Sequence, residues 1–377
     1  MRYTPLLCSL LCAFGAATAR ADLPPSTPAP STSSVNIYGL ISAGIGHVSN
    51  EGGVSRMHAI SGTNQNPRLG FRGSEDLGGG LSAVFTLENG FNAMTGALSQ
   101  NGRAFGRQSF VGLADKQFGT LTFGRQYDTV HDYLGPVLIA SNGVAIGDND
   151  NAYNNIRIQN SIKYASPRIS GLDFTAVYGL SESTSHSDNE AYSLGVGYRE
   201  GGWNGGAVYA RMNNPNSATS PNGAVGNDYG SGLLLFTKNP ANSGAARQTI
   251  SGVGTLYTTG PAQWGIYFSD VKFDYIDNSS LHLRNYNVNL NYRVAPQVIL
   301  GAALMRTSGS YAPSGAKPKW DQLNLQFNYV LSKRSDLFVN AIHQQAGGDA
   351  SHANIFGFGA SSSRAQTMLT IGMRHRF

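Results

Sequence analysis

The sequence predicts an all-β fold, a 16-stranded antiparallel transmembrane β-barrel with short turns at one end and long loops at the other. Three observations predict it. Segments of about ten residues alternate apolar and polar side chains with period two, the signature of a strand whose two faces see different surroundings. The connections between them come in two kinds that alternate along the chain. No apolar run is long enough to be a membrane-spanning helix, the most apolar being "LLLF" at 233–236.

Composition agrees. Charged residues make up 13% of the 377-residue chain and hydrophobic residues only 41%, with 47 Gly, 18 Tyr and 17 Phe. Low charge without high hydrophobicity, rich in Gly and aromatics, suits many strands and tight turns.

The first 21 residues, "MRYTPLLCSLLCAFGAATARA", combine a basic start at Arg2, an apolar stretch from Leu6 to Ala17 and the small-x-small site Ala19-Arg20-Ala21. This predicts a secretory signal peptide, 1–21, cleaved before Asp22, with Ala17-Thr18-Ala19 as the rival site. The run is too short for a membrane anchor. A lipoprotein signal would want a small residue before the cysteine, and Leu7 and Leu11 stand there. Both cysteines, Cys8 and Cys12, lie in this segment, so the mature chain has no disulfide, cysteine nucleophile or cysteine-held metal. Losing Arg2 and Arg20 leaves 25 basic against 22 acidic residues, a net +3, which gives no basic stripe for nucleic acid.

Residues 22–34, "DLPPSTPAPSTSS", predict an extended Pro/Ser/Thr-rich linker, and 35–377 the transmembrane β-barrel domain. Seven short connections are expected at 76–81, 115–119, 166–171, 198–203, 258–263, 293–297 and 331–336. Eight long ones are expected at 48–55, 92–102, 126–156, 182–190, 212–246, 275–282, 308–318 and 346–363. Together they imply sixteen strands with both chain ends on the short-turn side. A soluble sandwich has no reason to keep every short turn at one end, whereas a bacterial transmembrane barrel does, with short periplasmic turns and long external loops.

The faces are legible strand by strand. Leu81, Ala83, Phe85 and Leu87 oppose Ser82, Thr86 and Glu88; Tyr286, Val288, Leu290 and Tyr292 oppose Asn287, Asn289, Asn291 and Arg293; Leu323, Leu325, Phe327 and Tyr329 oppose Asn324, Gln326 and Asn328. Apolar outward and polar inward means lipid outside and water inside. Aromatics near strand ends, among them Tyr198, Trp203, Trp264, Tyr292 and Tyr329, are expected at headgroup depth. The chain closes on "TMLTIGMRHRF", with Phe377 at the outward-facing end of the last strand, beside the first strand near Val35–His47.

Several stretches together resemble the trimeric general porins of Gram-negative outer membranes: "VNIYGLISAGI" (35–45), "RLGFRGSEDLGGGLSAVFTLENGF" (68–91), "GRQSFVGLADKQFGTLTFGRQYD" (106–128), "NSIKYASPRISGLDFTAVYG" (160–179), "LSKRSDLFV" (331–339) and "GMRHRF" (372–377). The resemblance implies a multi-pass barrel in the outer membrane, a homotrimer, bathed in lipid and lipopolysaccharide. It implies passive diffusion of ions and small hydrophilic solutes, with no cofactor and no metal. It also implies that Phe377 is read as an assembly signal by the barrel assembly machinery, and that residues 126–156 form a third external loop folded inward to narrow the channel. Small outward residues Gly39, Ala43 and Gly112 are candidates for close packing of protomers.

A pore selects by size and by the field at its narrowest point, and Arg is a permanent cation. Arg68, Arg107, Arg125 and Arg157 are the expected basic ladder at the constriction; Arg107, Arg125 and Arg157 are placed there by the family motifs. Arg72 and Arg103 are second choices. Asp128, Asp132, Asp148 and Asp150 are the candidate carboxylates of the facing loop. Many general porins carry an acid just after the loop proline; here Pro136 is followed by "VLIA". Four wall arginines and that missing acid point to anion preference. The alternatives are a substrate-specific channel and an adhesin-like barrel with a plugged lumen. An enzyme is disfavoured, because the eight histidines show no Ser-centred elbow and no HExxH motif.

Overall fold

The computed structural model describes residues 33–62, 64–140, 144–229, 235–236, 238 and 244–377; the expected signal peptide and nearly all of the linker lie outside them. The described residues form seventeen strand segments in one antiparallel sheet closed on itself. The first eight are β1 (Ser34–Glu51), β2 (Val54–Ser61), β3 (Arg68–Gly78), β4 (Leu81–Gly90), β5 (Gln108–Asp115), β6 (Gly119–Gln126), β7 (Ile158–Ala165) and β8 (Leu172–Gly179). Next come β9 (Glu190–Glu200), β10 (Trp203–Asn213), β11 (Ala245–Thr259), β12 (Ala262–Tyr275) and β13 (Ser280–Ala295). The last are β14 (Val298–Ala312), β15 (Pro318–Val330), β16 (Ser335–Gly348) and β17 (Ala365–Arg376).

Seventeen segments make sixteen staves, because β2 and β3 share one. The upper half of β1 pairs with β2, from Ala43↔Ser61 to Glu51↔Val54, and its lower half pairs with β3, from Ser34↔Ser74 to Leu40↔Arg68. Between them Asn64 and Gln65 turn away from the wall. Asn64 reaches Asn328 of β15 and Asn340 of β16 on the inner face, and Gln65 accepts from Arg374 at 3.1 Å. Gly62, Asn64, Asn66 and Pro67 so close together break a ladder, since Pro lacks the donor and Gly and Asn favour turns.

The barrel closes where β1 meets β17, from Leu40↔Arg376 to Val48↔Met368. The last rung is Phe377 itself: its N–H donates to Gly39 O at 3.0 Å and its carbonyl accepts from Gly39 N at 3.1 Å. A closed sheet leaves no edge, and every ladder group is satisfied without water.

Packing is inverted relative to a soluble protein. Val35, Ile37, Ile45, Val288, Leu304, Leu325, Leu369 and Ile371 are exposed, while Ser42, Ser269, Asn285, Asn287, Asn289, Asn340 and Gln366 are buried. Apolar atoms outside and amides within match a lipid-facing wall around a polar bore. Exposed Tyr198, Trp203, Trp264, Tyr292, Tyr329 and Phe377 gather at the short-turn rim, where Trp203 and Tyr257 lie 4.4 Å apart. No helix among the described residues is long and apolar enough to cross a membrane.

Three of the eight connections expected to be long are short. Residues 48–55 hold a two-residue Gly52-Gly53 turn, and 276–279 and 313–317 join β12 to β13 and β14 to β15. Gly112 lies on the inner parity, between exposed Val111 and Leu113, and Gly39 is covered by the Phe377 ring. Neither is free for protomer packing, which leaves Ala43 of the three small residues.

Candidate functional site

The bore is narrowed by the described parts of the third long connection, residues 127–140 and 144–157. Their helix α1 (Thr129–Leu134) is capped by Asp128, which accepts from His131 N at 3.0 Å. Beyond it, Asp148, Asn151 and Asn154 take positive φ (47°, 58° and 69°), a region Asn and Asp tolerate best among side-chain-bearing residues. Asp148 accepts from the N–H groups of Tyr153 and Asn155, and Asn151 exchanges two hydrogen bonds with the Ile156 backbone. The run "DNDNAYNN" therefore supplies its own internal caps.

This segment docks on the inner wall along a track of glycines. A Cβ on Gly195 would lie 2.5 Å from the Tyr133 ring, one on Gly252 2.6 Å from Leu134 Cδ1, and one on Gly265 2.7 Å from the Val137 carbonyl. These glycines alternate with exposed Leu194, Val196, Val253, Trp264 and Ile266, so they line the inside. Val130, Tyr133, Leu134, Val137, Ile146 and Ile156 form one buried cluster with Val208, Ile250 and Val271 of the wall. Polar stitches complete the dock. Tyr133 Oη donates to Asp173 at 2.8 Å, Asp150 accepts from Ser269 Oγ at 2.6 Å and Tyr267 Oη at 3.0 Å, and Gln248 Nε2 donates to Asn149 O at 2.8 Å.

Facing the segment is a cluster of arginines. Arg68 opens β3, Arg107 precedes β5, Arg125 lies in β6 and Arg157 precedes β7. Tyr127 gathers two of them, with the Arg107 and Arg157 guanidinium carbons 6.0 and 5.9 Å from its ring centre. Arg107 Nε pairs with Glu88 Oε1 at 2.7 Å and its Nη2 donates to Tyr127 Oη at 2.7 Å; Tyr38 Oη donates to Glu88 Oε2 at 2.9 Å. Arg125 pairs with Asp228, and the same carboxylate holds Arg103 at 2.7 Å. Arg68 Nε and Arg157 Nε have no acceptor, and among the described residues neither arginine pairs with a carboxylate. Arg72 is exposed, toward the short-turn rim, 5.1 Å over the Tyr38 ring.

The four aspartates are placed differently. Asp128, Asp148 and Asp150 are fully buried and accept the hydrogen bonds that fold and dock the loop, not ones from a guanidinium. Burial pushes the Asp128 carboxyl up to about 6. Burial and the mutual repulsion of Asp148 and Asp150 raise Asp148 well above the usual carboxylate range, and burial raises Asp150. Asp132 pairs with Lys163 Nζ at 2.5 Å. After Pro136, Val137 is buried in the apolar dock and Ile139 offers its carbonyl to Asn291.

The carboxylates that meet the arginines are therefore Glu88 and Asp228. In the sequence Glu88 stands out only as a member of a polar strand face, and Asp228 lies in a polar loop. Glu88 carried a signal, since it shares the inner parity of its strand. Asp228 carried none, because it arrives from a connection some 100 residues beyond Arg125. The inner-parity glycines of "LGVGY", "NGGAV" and "SGVGT" were a legible sign that something packs against that wall.

Known proteins match this architecture. A family model for the Gram-negative porin matches residues 8–349. An outer membrane porin protein of Bordetella pertussis is 29% identical over 418 residues, covering 100% of both chains. Outer membrane porin protein 32 of Delftia acidovorans is 29% identical over 95% of this chain and 98% of its own. Among solved structures, the anion-selective porin from Comamonas acidovorans superposes with a TM-score of 0.73 at 24% identity, over 92% of this chain and 100% of that one. OmpT of Vibrio cholerae in its trimer form gives 0.68 at 16% identity, over 92% and 99%. With its inside-out packing, polar bore and sixteen closed staves, the chain belongs to the Gram-negative porin family and forms a water-filled channel of the outer membrane.

Proposed function

We propose that this channel passes small hydrophilic solutes by passive diffusion and prefers anions. The observation that carries the reading is the charge gathered around Tyr127, beside the inward-folded loop. Five guanidinium groups, Arg68, Arg103, Arg107, Arg125 and Arg157, meet two carboxylates, Glu88 and Asp228, a surplus of three positive charges. In a narrow bore with low-dielectric walls such a surplus is focused on passing ions. Asp132 is cancelled by Lys163 and adds nothing. Arg68, Arg107, Arg125 and Arg157 are the selecting residues, Arg103 supports Arg125 through the shared Asp228, and Arg72 adds positive charge near the short-turn rim. Asp128, Asp148 and Asp150 act as docking groups. The chain acts as a channel and performs no catalysis.

The barrel works as a homotrimer, surrounded by lipid and by lipopolysaccharide around the long loops, which face outward from the cell. The aromatic Phe377 is the mark by which the barrel assembly machinery takes up the chain. The signal peptide, residues 1–21, directs its export, and residues 22–34 form a Pro/Ser/Thr-rich linker. Reversal potentials in planar bilayers under a salt gradient test the selectivity: the potential should have the sign of an anion-conducting pore, and the opposite sign rejects the reading.

A further inference from the structure

We propose that the lumen holds a binding site for aromatic monocarboxylates, formed where the constriction loop meets the last long loop. The proposal rests on the anion-preferring channel above and specifies which anions that channel retains. The site is a cavity of about 400 Å³ lined by Arg157, Asn155 and Gln100 on one side and Asn354, Phe356 and Phe358 among the rest of its wall. That size lies within the range of pockets that enclose a small organic molecule.

The polar side of the cavity is under-satisfied. Arg157 is 3% exposed, yet among its nitrogens only Nη1 makes a hydrogen bond, to the Asn155 carbonyl at 3.0 Å. Its Nε has no acceptor, Asn155 Nδ2 has none either, and Gln100 Oε1 has no donor. A buried guanidinium with neither carboxylate nor full hydrogen bonding is costly, and a ligand carboxylate matches its planar fork. One unpaired guanidinium, Arg157, lines the cavity and matches one ligand carboxylate; Asp228 of the same lining is already shared by Arg103 and Arg125.

The other wall selects the body of the ligand. Phe356 is held edge-on by Tyr153 of the constriction loop at 5.8 Å, and Phe358 by His58 at 5.5 Å. Both rings are half-buried, and both line the cavity. The two rings line the same cavity as the uncompensated arginine, Phe358 backed by the apolar cluster of Val48, Ile342, Ile355 and Met368. A flat apolar acid fits both features together, since ring–ring contact favours edge-to-face and offset packing.

The experiment is single-channel recording of the full-length protein purified from outer membranes, with benzoate, cyclohexanecarboxylate, acetate or benzyl alcohol added. Benzoate should interrupt the potassium chloride current saturably, at a half-effective concentration at least about tenfold below that of acetate. Cyclohexanecarboxylate should fall between them, and benzyl alcohol should have no effect. Phe356→Ala should narrow the gap between benzoate and acetate, and Arg157→Gln should weaken all three acids. The ligand series on the unaltered protein decides the matter even if a variant fails to assemble. Equal potency of benzoate and acetate overturns the site, leaving only a basic lumen. Equal potency of benzyl alcohol overturns it as a merely apolar pocket. The reversal potential on the same channels separates the two readings: anion-directed with no benzoate preference removes this site alone, while cation-directed removes the channel reading beneath it.

Discussion

Replacing Asp228 by Asn isolates the charge argument. Asp228 is 3% exposed and is the carboxylate shared by Arg103 and Arg125, so the substitution keeps the shape and frees one unit of positive charge beside the bore. A unit charge about 8 Å from a passing ion is worth about 0.5 kcal/mol in bulk water, and about half that in 0.1 M salt, where the Debye length is about 10 Å. The shift acts in opposite directions on the two ion signs. The anion-to-cation permeability ratio should therefore rise roughly twofold in 0.1 M salt, approach roughly fivefold in dilute salt, and lose its effect near 1 M, where the screening length is about 3 Å. Reversal potentials across a salt gradient, repeated at three ionic strengths, measure this directly. An unchanged ratio in dilute salt, or a shift toward cations, refutes the claim that these arginines set the field. An equal gain at every ionic strength would point to a change in pore shape instead.

Three further outcomes are expected. Glu88→Ala leaves the 5%-exposed Arg107 without its carboxylate, a loss of about 3–5 kcal/mol for a broken buried pair, and should lower the temperature at which the folded band is lost in semi-native electrophoresis. Gly252→Val overfills the contact with Leu134, costs about 1–3 kcal/mol, and should push the constriction loop off the wall, raising single-channel conductance; unchanged conductance would count against the glycine track. Asp128 has its carboxyl raised from the usual 3.8 to about 6, so its contribution is complete below pH 3.8 and is lost as pH rises through 6, about 3 kcal/mol in all. The constriction loop should accordingly resist protease better at pH 4.5 than at pH 7.5, and Asp128→Asn should reduce that dependence, leaving the part due to Asp148 and Asp150.

The staves were readable in the sequence because lipid and water impose opposite demands on successive residues. Where a strand rises beyond the bilayer both faces are wet, and the pattern vanishes. That is why "SNEGGVSR" resembles a long loop, although β1 continues to Glu51 and turns tightly at Gly52-Gly53. The break between β2 and β3 was masked for another reason: β1 is long enough to pair with both halves, so the stave count survives. The arginines were legible as types and parities. Of their partners, Glu88 was legible only as an inner-parity residue of β4, and Asp228 was not, because it comes from a distant connection. The aspartates are candidates in the sequence because they lie in the loop expected to face the arginines. Asp150 is held by Ser269 and Tyr267, more than 110 residues away, whereas Asp128 and Asp148 accept from groups of their own loop.

The rung between Gly39 and Phe377 sets the order in which the molecule can be made. Its partners stand at opposite termini of the barrel, so no earlier portion of the chain can finish the ring. Joining ends some 340 residues apart costs about 5 kcal/mol of chain entropy by the logarithmic scaling of loop closure. Until that joint forms, the first and last strands each present a row of naked amides and carbonyls that hydrocarbon cannot tolerate. A half-built wall thus has no stable place in the bilayer, and the cell must either shelter both raw borders or close the ring in one stroke.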